Sequence, residues 1–249
     1  MSNPTTAPSH PICSLPVILG SSSKWRAKLL RAMGIPIVSQ MNPDIDEYAV
    51  QVEGQASEVT RNRSKPDALS MAVARAKAKH LLAQIASTNS DSSSSSSNPT
   101  TATSQPHLLI TSDQVAFFDG EIREKPRDAE QCRQWFQQYS SKPIEVCNAV
   151  VVTNTLTGVQ YEGVAFASQL FNPVPMSILD GLIETGDILG CCGGFLVDDD
   201  RITPYLADRH GTEDEIIGLP KNLLTQLLQQ AEEDQHKQKQ TTAATTTST

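Results

Sequence analysis

The chain has 249 residues and a formal net charge of −8. An acidic chain of this kind argues against extended DNA or RNA as a partner, because duplex binding needs a basic face; a small anion held by a few converging Lys and Arg remains open. No apolar run approaches the ~20 residues that span a bilayer, and the start lacks a charged segment leading into an apolar one, so the expected setting is the cytoplasm, away from membranes.

The first sixteen residues hold four Pro and no apolar pattern, so residues 1–15 read as a disordered tail. Pro16 to Leu19 (PVIL) reads as a short buried strand that stops at Gly20 and a Ser triplet. Trp25 to Met33 has helical spacing, with Ser22 or Ser23 as N-cap and Gly34 at the stop. Ile35 to Val38 reads as a strand, and Asn42 to Glu47 (NPDIDE) as a loop with three carboxylates. Asp67 to Gln84 is a strong helix. Its apolar stripe reads Leu69, Ala72, Val73, Ala76, His80 and Leu81, which puts Arg75, Lys77 and Lys79 on the other face.

Residues 88–106 are almost pure Ser, Thr, Asn, Ala and Pro and read as a disordered surface insert. Leu108 to Thr111 is a strand leading to Asp113, followed by a turn at Asp119-Gly120 and a short strand ending at Lys125-Pro126. Asp128 to Tyr139 reads as a helix, Glu145 to Thr153 as a strand, Val159 to Leu170 as another, and Ile178 to Glu184 as a helical turn. Gly190 to Asp200 is Gly-rich. A last helix begins after Gly218-Leu219-Pro220, with Leu223, Leu224, Leu227 and Leu228 on one face, and residues 231–249 read as a solvated tail. Strands alternate with helices, so the class is α/β, with one domain over residues 16–230.

Five Cys (13, 132, 147, 191 and 192) form no C-x-x-C pair, and their odd number fits free thiols in a reducing compartment. Cys191-Cys192 lacks the further His or Cys that a soft-metal site requires.

Four features carry chemistry. The loop Ser21-Ser22-Ser23, at a strand-to-helix junction, presents backbone N–H groups and hydroxyls to an anion, and Arg26 adds a bidentate phosphate contact. The alternative is an ordinary capped helix with an exposed Arg. Trp25 is either a packing residue or a face for a flat, cationic ligand. Asp113 follows an apolar run and sits where that strand leaves the core, a place for an acid that binds a hard cation or activates water; Glu47 is the second candidate acid. Lys77 and Lys125 are either surface cations or phosphate contacts.

SSSKWRAKLL, PDIDE, ARAKA, SDQVAFFDGEIREKP and CCGGF…GTEDEIIGLPKNLL occur in one order, and together they resemble the Maf family of nucleoside triphosphate pyrophosphatases from about Val17 to Leu228. The resemblance implies a mixed, curved sheet between helical lobes, of the Maf and inosine-triphosphatase kind, with the site in a central cleft. It implies hydrolysis of a nucleoside triphosphate to the monophosphate and pyrophosphate, a divalent cation (Mg²⁺ or Mn²⁺) shared by Glu47 and Asp113, and catalytic roles for Asp113, Glu47, Lys77 and Lys125. Ser21, Ser22, Ser23 and Arg26 would hold the triphosphate. The branch with an aromatic residue at position 25 and S-D-Q at 112–114 acts on 7-methyl-GTP, which makes Trp25, Gln114 and Asp198 the expected base contacts. The family residue at Asp198 is usually Glu, and Asp199 and Asp200 stand as alternative counterparts. A second branch, specific for dTTP and UTP, has Arg at position 25 and Asp-Thr in place of Asp113-Gln114. Remaining alternatives are that specificity and a non-catalytic nucleotide-binding regulator. Homodimers are common in the family.

Overall fold

In the computed structural model, which describes residues 13–54, 60–91 and 106–246, one mixed sheet organises the chain. Its strands are β1 (Val17–Gly20), β2 (Ile37–Met41), β3 (Leu108–Phe118), β4 (Glu121–Arg123), β5 (Ile144–Asn154), β6 (Gln160–Phe171) and β7 (Leu206–His210). They run in the order β2-β1-β3-β5-β6-β7, with β4 paired to β3. β1 lies parallel to β2 and β3, and the remaining pairs are antiparallel. β5 is buried on both faces apart from Glu145 and carries the β-branched run Val150 to Thr153, the pattern of a central strand. Among the described residues six α-helices complete the mixed α/β domain: α1 (Lys24–Ala32), α2 (Pro66–Asp91), α3 (Ala129–Gln138), α4 (Met176–Thr185), α5 (Glu213–Ile217) and α6 (Lys221–Thr246).

The two faces of the sheet are covered differently. Odd-numbered residues of β3 face α2: Thr111 Oγ1 donates to the Ala74 carbonyl, and Val115 packs with Leu69 and Val73. α2 lays Ala74 and Ala78 on Ala149 and Val151, and small residues at both positions let helix and strand approach closely. Its buried stripe is Leu69, Ser70, Val73, Ala74, Lys77, Ala78 and Leu81. This corrects the sequence reading, which put Lys77 on the outer face and His80 on the stripe.

Even-numbered residues of β3 face the opposite side, where two apolar cores stand apart. One gathers Leu108, Ile110, Val150 and Val152 under Leu30 of α1 and Leu224 and Leu228 of α6. The other gathers Ala116, Phe118, Ile144 and Val146 with Phe136 of α3 and Leu179 and Leu182 of α4. Between them the same strands turn polar, with Ser112, Gln114 and Asn148. Ser112 and Asn148 are buried here, and the Gln114 and Asn148 amides donate to carbonyls of α5; this polar belt separates two lobes.

Several boundaries differ from those read in the sequence. β2 starts two residues later than expected, at Ile37. β3 runs through Asp113 to Phe118, so this acid sits mid-strand, opposite Ala149. The Asp119-Gly120 turn is as read: both residues have positive φ, 52° and 79°, which is the two-residue geometry that follows the twist of a hairpin. α2 continues to Asp91, into the stretch read as insert, and residues 92–105 lie outside the described set.

The chain ends also differ from their reading as tails. Cys13 and Leu15 are buried, and α6 continues to Thr246. Glu232 of α6 ties the two ends together: its carboxylate accepts from Ser14 N at 2.7 Å, Ser14 Oγ at 2.6 Å and Leu15 N at 3.2 Å. Residues 1–12 and 247–249 are outside the described set. β7 and the short α5 are additional elements. Thr212 and Glu215 form a reciprocal capping box at the start of α5. No described helix is long and apolar enough to cross a membrane.

Candidate active site

A gap in one edge of β3 creates the site. β5 pairs with one side of β3 along Leu108–Phe117. On the other side β1 pairs only with Leu108–Thr111 and β4 only with Ala116–Phe118. Ser112 to Val115 are left without a strand on that side. The carbonyl of Ser112, freed from the ladder, accepts from Arg26 Nη1 at 3.3 Å and from Lys77 Nζ at 3.5 Å. Gly20 ends β1 at this gap. A Cβ there would stand 2.6 Å from Leu81 Cδ1 and 2.7 Å from Thr111 Cγ2, so any side chain at the strand end would force these neighbours to shift.

The gap opens into a cleft of about 460 Å³ between the lobes, a size that suits a nucleotide-scale ligand. Asp113, Glu47, Lys77, Lys125, Arg26, Ser21, Ser22, Ser23, Trp25, Gln114 and Asp198 all line it. Every site residue expected from the sequence therefore faces one space, although the residues come from six separate stretches of chain.

At its centre Lys77 Nζ lies 2.7 Å from Asp113 Oδ1 and 2.7 Å from Glu47 Oε1. Lys77 and Asp113 are buried, while Glu47 reaches in from the rim. A short 3₁₀ turn, Glu47–Ala49, presents Glu47; Asp46 caps it by accepting from Tyr48 N and Ala49 N. Burial pushes the Asp113 carboxyl above the usual carboxylate range, the Lys77 ammonium pulls it back, and the nearby Glu47 charge raises it again.

Arg26 forms the next wall. Its Nε donates to the Gly218 carbonyl at 3.0 Å, and Nη1 also donates to Ser21 Oγ at 3.3 Å. Ser23 is the N-cap of α1, accepting from Arg26 N. Ser21 accepts from Ser23 N, and its carbonyl accepts from Gln40 Nε2 at 2.7 Å. The serine loop is thus held from both sides at a helix N-terminus, the arrangement that receives anions. Gln40 has no recognisable sequence signal; only the β1–β2 pairing brings it to Ser21.

The far wall carries Lys125 and the Cys191-Cys192 turn. Lys125 makes no ion pair among the described residues. Both thiols are pushed up by burial, to about 11 for Cys191 and about 12 for Cys192, so they are protonated at neutral pH. Asp199 is locked against Arg201 by two ion-pair contacts, at 2.9 Å and 2.7 Å. Of the three consecutive acids, Asp198 is the one that lines the cleft. Trp25 is 51% exposed at the mouth, with Lys28 Nζ 5.2 Å from its ring centroid.

Gln114 lines the cleft and is also a tie within the fold. Its Nε2 donates to the carbonyls of Glu215 at 3.3 Å and Ile216 at 2.8 Å, and its Oε1 accepts from Cys192 Sγ. Asn148, directly opposite on β5, donates to the same Glu215 carbonyl at 2.7 Å. In this state Gln114 ties α5 and the Cys192 turn to the sheet, and its amide is already engaged.

Among the described residues no group of three or more His, Cys, Asp or Glu is placed to hold a metal. The two carboxylates facing one cation do suit a hard ion. Mg²⁺ and Mn²⁺ take one or two carboxylates from the protein and the remaining oxygens from water and phosphate.

An α/β cleft with a serine-rich helix N-terminus, converging cations and paired acids defines a protein built to handle a phosphate chain. The chain belongs to the Maf family: the profile of Maf-like proteins matches residues 16–231. It is 36% identical over 217 residues to a 7-methyl-GTP pyrophosphatase of Dictyostelium discoideum, covering 87% of this chain and 98% of that one. A 7-methyl-GTP pyrophosphatase of Chromohalobacter salexigens is 25% identical, covering 86% of this chain and 95% of its own. A nucleoside triphosphate pyrophosphatase of Chlamydia muridarum is 28% identical, covering 85% and 92%.

Proposed function

We propose that this chain is a nucleoside triphosphate pyrophosphatase that splits the α–β phosphoanhydride of 7-methyl-GTP, giving 7-methyl-GMP and pyrophosphate. The observation that carries the reading is the triad of Asp113, Lys77 and Glu47 in one cleft with Arg26 and Lys125. Two of the relatives are named for 7-methyl-GTP, and the third for nucleoside triphosphates in general.

In this reading water attacks phosphorus and gives its proton to Asp113, while the bridging P–O bond breaks and its electrons leave with pyrophosphate. Burial raises the Asp113 carboxyl above its ordinary range, which makes it a stronger base than a free Asp. Arg26, Lys125 and the Ser21–Ser23 loop hold the triphosphate and offset the negative charge gathering on the leaving group. Lys77 fixes both acids and adds positive charge beside the reacting phosphate. Asp113 and Glu47 would hold a Mg²⁺ or Mn²⁺ ion, which supplies neutralisation of phosphate oxygens.

Two side chains support the base. The 7-methylguanine ring carries a positive charge, and an indole face attracts a cation by about 1 kcal/mol when water is excluded. Trp25, exposed at the cleft mouth, offers that face. Asp198 offers a carboxylate to accept from guanine N1–H and the exocyclic amine. A pyrimidine-selective site would gain nothing evident from either residue.

The test is pyrophosphate release from 7-methyl-GTP, GTP, dTTP, UTP and CTP at equal concentration, with Mg²⁺ and with Mn²⁺. The reading expects 7-methyl-GTP to lead on kcat/KM. A lead for dTTP or UTP would transfer the chain to the other specificity, and binding without turnover would make it a nucleotide-binding regulator.

A further inference from the structure

Arg61 lies outside the cleft, yet it touches both of its rims. Its Nε donates to Glu124 Oε1 at 2.7 Å, and its guanidinium carbon stands 5.2 Å from the centroid of the Tyr48 ring. Glu124 is the neighbour of Lys125, and Tyr48 is the neighbour of Glu47. The Glu124 backbone is fixed in turn: its carbonyl accepts from Gly193 N at 3.0 Å, which joins it to the turn after Cys192. Arg61 itself opens a 3₁₀ turn, Arg61–Arg63, and its side chain is only 22% exposed.

The acid turn needs such support. Glu47–Ala49 is three residues long, and Tyr48 is 64% exposed, so the turn has little apolar burial to hold it. Its internal contacts are those to the Asp46 side chain and two backbone bonds, Ala49 N to the Asp46 carbonyl at 3.1 Å and Val50 N to the Glu47 carbonyl at 3.4 Å. A planar guanidinium can stack on a ring and hold a carboxylate with its edge at the same time, which an ammonium cannot.

We infer that Arg61 is a positioning residue for the proposed pyrophosphatase site: by clamping Tyr48 and Glu124 it holds Glu47 at Lys77 and keeps the Lys125 wall in register with it. The inference rests on the proposed function for its catalytic consequence and on geometry alone for the clamp. Arg61 touches neither substrate nor the reacting atoms. It acts through its two neighbours.

Two measurements on the full chain test it, with Arg63→Ala as the control. Arg63 shares the 3₁₀ turn but pairs with Glu121 in solvent, with both side chains about half exposed. Amide hydrogen exchange at Tyr48 and Ala49 should quicken in Arg61→Ala and stay as in the parent in Arg63→Ala. In turnover, Arg61→Ala should lower kcat on the order of tenfold while affinity for an α,β-methylene triphosphate changes by less than about twofold, and Arg61→Lys should recover part of the rate. Unchanged exchange in Arg61→Ala, or an equal loss of kcat in Arg63→Ala, overturns the clamp. A parent protein without pyrophosphatase activity would contradict the proposed function instead, and the exchange result would still decide whether Arg61 holds the turn.

Discussion

Lys77 donates to Asp113 across 2.7 Å inside the buried seam between α2 and β3, and this contact places a cation on the apolar stripe of a core helix. A buried ammonium is costly unless it is paired. Two acids pair with it here, one from the adjacent strand and one from the rim.

Removing the cation should therefore cost both stability and activity. Lys77→Met leaves two carboxylates facing each other, one of them buried. Urea denaturation should show a loss of about 3 kcal/mol, and turnover should drop on the order of a hundredfold. Asp113→Asn should be milder on the fold, because Lys77 keeps Glu47, yet turnover should fall at least on the order of a hundredfold. Wild-type rates in Asp113→Asn would rule out that acid as the base.

The pH dependence follows from the direction of the Asp113 shift. Its carboxyl is raised in the folded state, first by burial. The folded chain therefore holds this proton more tightly than the unfolded chain, whose carboxyl titrates near about 3.9. The stability it contributes is fully present below that unfolded value and is lost as pH rises through the raised folded value. Activity runs the opposite way, because a base must be deprotonated. The profile of kcat/KM should rise with pH through an acid limb as Asp113 loses its proton. Melting curves over the same window should isolate a stabilising contribution at the acid end, seen as the difference between the parent and Asp113→Asn. A kcat/KM that stays flat toward acid pH would contradict the assignment.

Much of this site was legible in the sequence, and the reasons are local. An N-cap at Ser22 or Ser23, realised at Ser23, and the Asp119-Gly120 turn follow from short-range backbone chemistry, whereas the strand read as closing on Lys125-Pro126 already ends at Arg123. The acids and cations of the motifs share one cleft, as the resemblance implied. What stayed hidden depends on distant partners. Asp113 reads as a strand end because polarity begins at Ser112, yet pairing with β5 carries the strand on to Phe118. Lys77 reads as an outer-face residue because charge predicts exposure; only Asp113 and Glu47, far along the chain, make its burial affordable. The bonds from Gln114 to α5 had no sequence signal, because α5 is an element too short to announce itself.

Base selection should depend on the Trp25 face. Trp25→Ala should weaken binding of 7-methyl-GTP by about fivefold to tenfold, equivalent to about 1 kcal/mol, and should weaken GTP less. Isothermal titration with α,β-methylene forms of both nucleotides would measure it. Equal losses for the two would make Trp25 a packing residue and remove the support it gives to the methylated base.

The C-terminal helix should matter to the fold beyond residue 230. Truncation after Gln230 removes Ala231, which is buried, the Glu232 contacts to Ser14 and Leu15, and the hydrogen bond from Tyr161 to Asp234 at 3.0 Å. The expected cost is about 2–4 kcal/mol, from several lost hydrogen bonds and the exposure of Leu15 and Cys13. Chemical denaturation of the truncated chain would show it. A truncated chain as stable as the parent would mean that these contacts contribute nothing.

The central claim is that the acids and cations of this cleft together split one particular anhydride. The direct measurement is product analysis of 7-methyl-GTP hydrolysed in ¹⁸O-water with Mg²⁺ or Mn²⁺, by mass spectrometry and phosphorus NMR. The account predicts 7-methyl-GMP and pyrophosphate in equal amounts, and neither from Asp113→Asn. Release of orthophosphate with 7-methyl-GDP, or the same products at the same rate from Asp113→Asn, would contradict it.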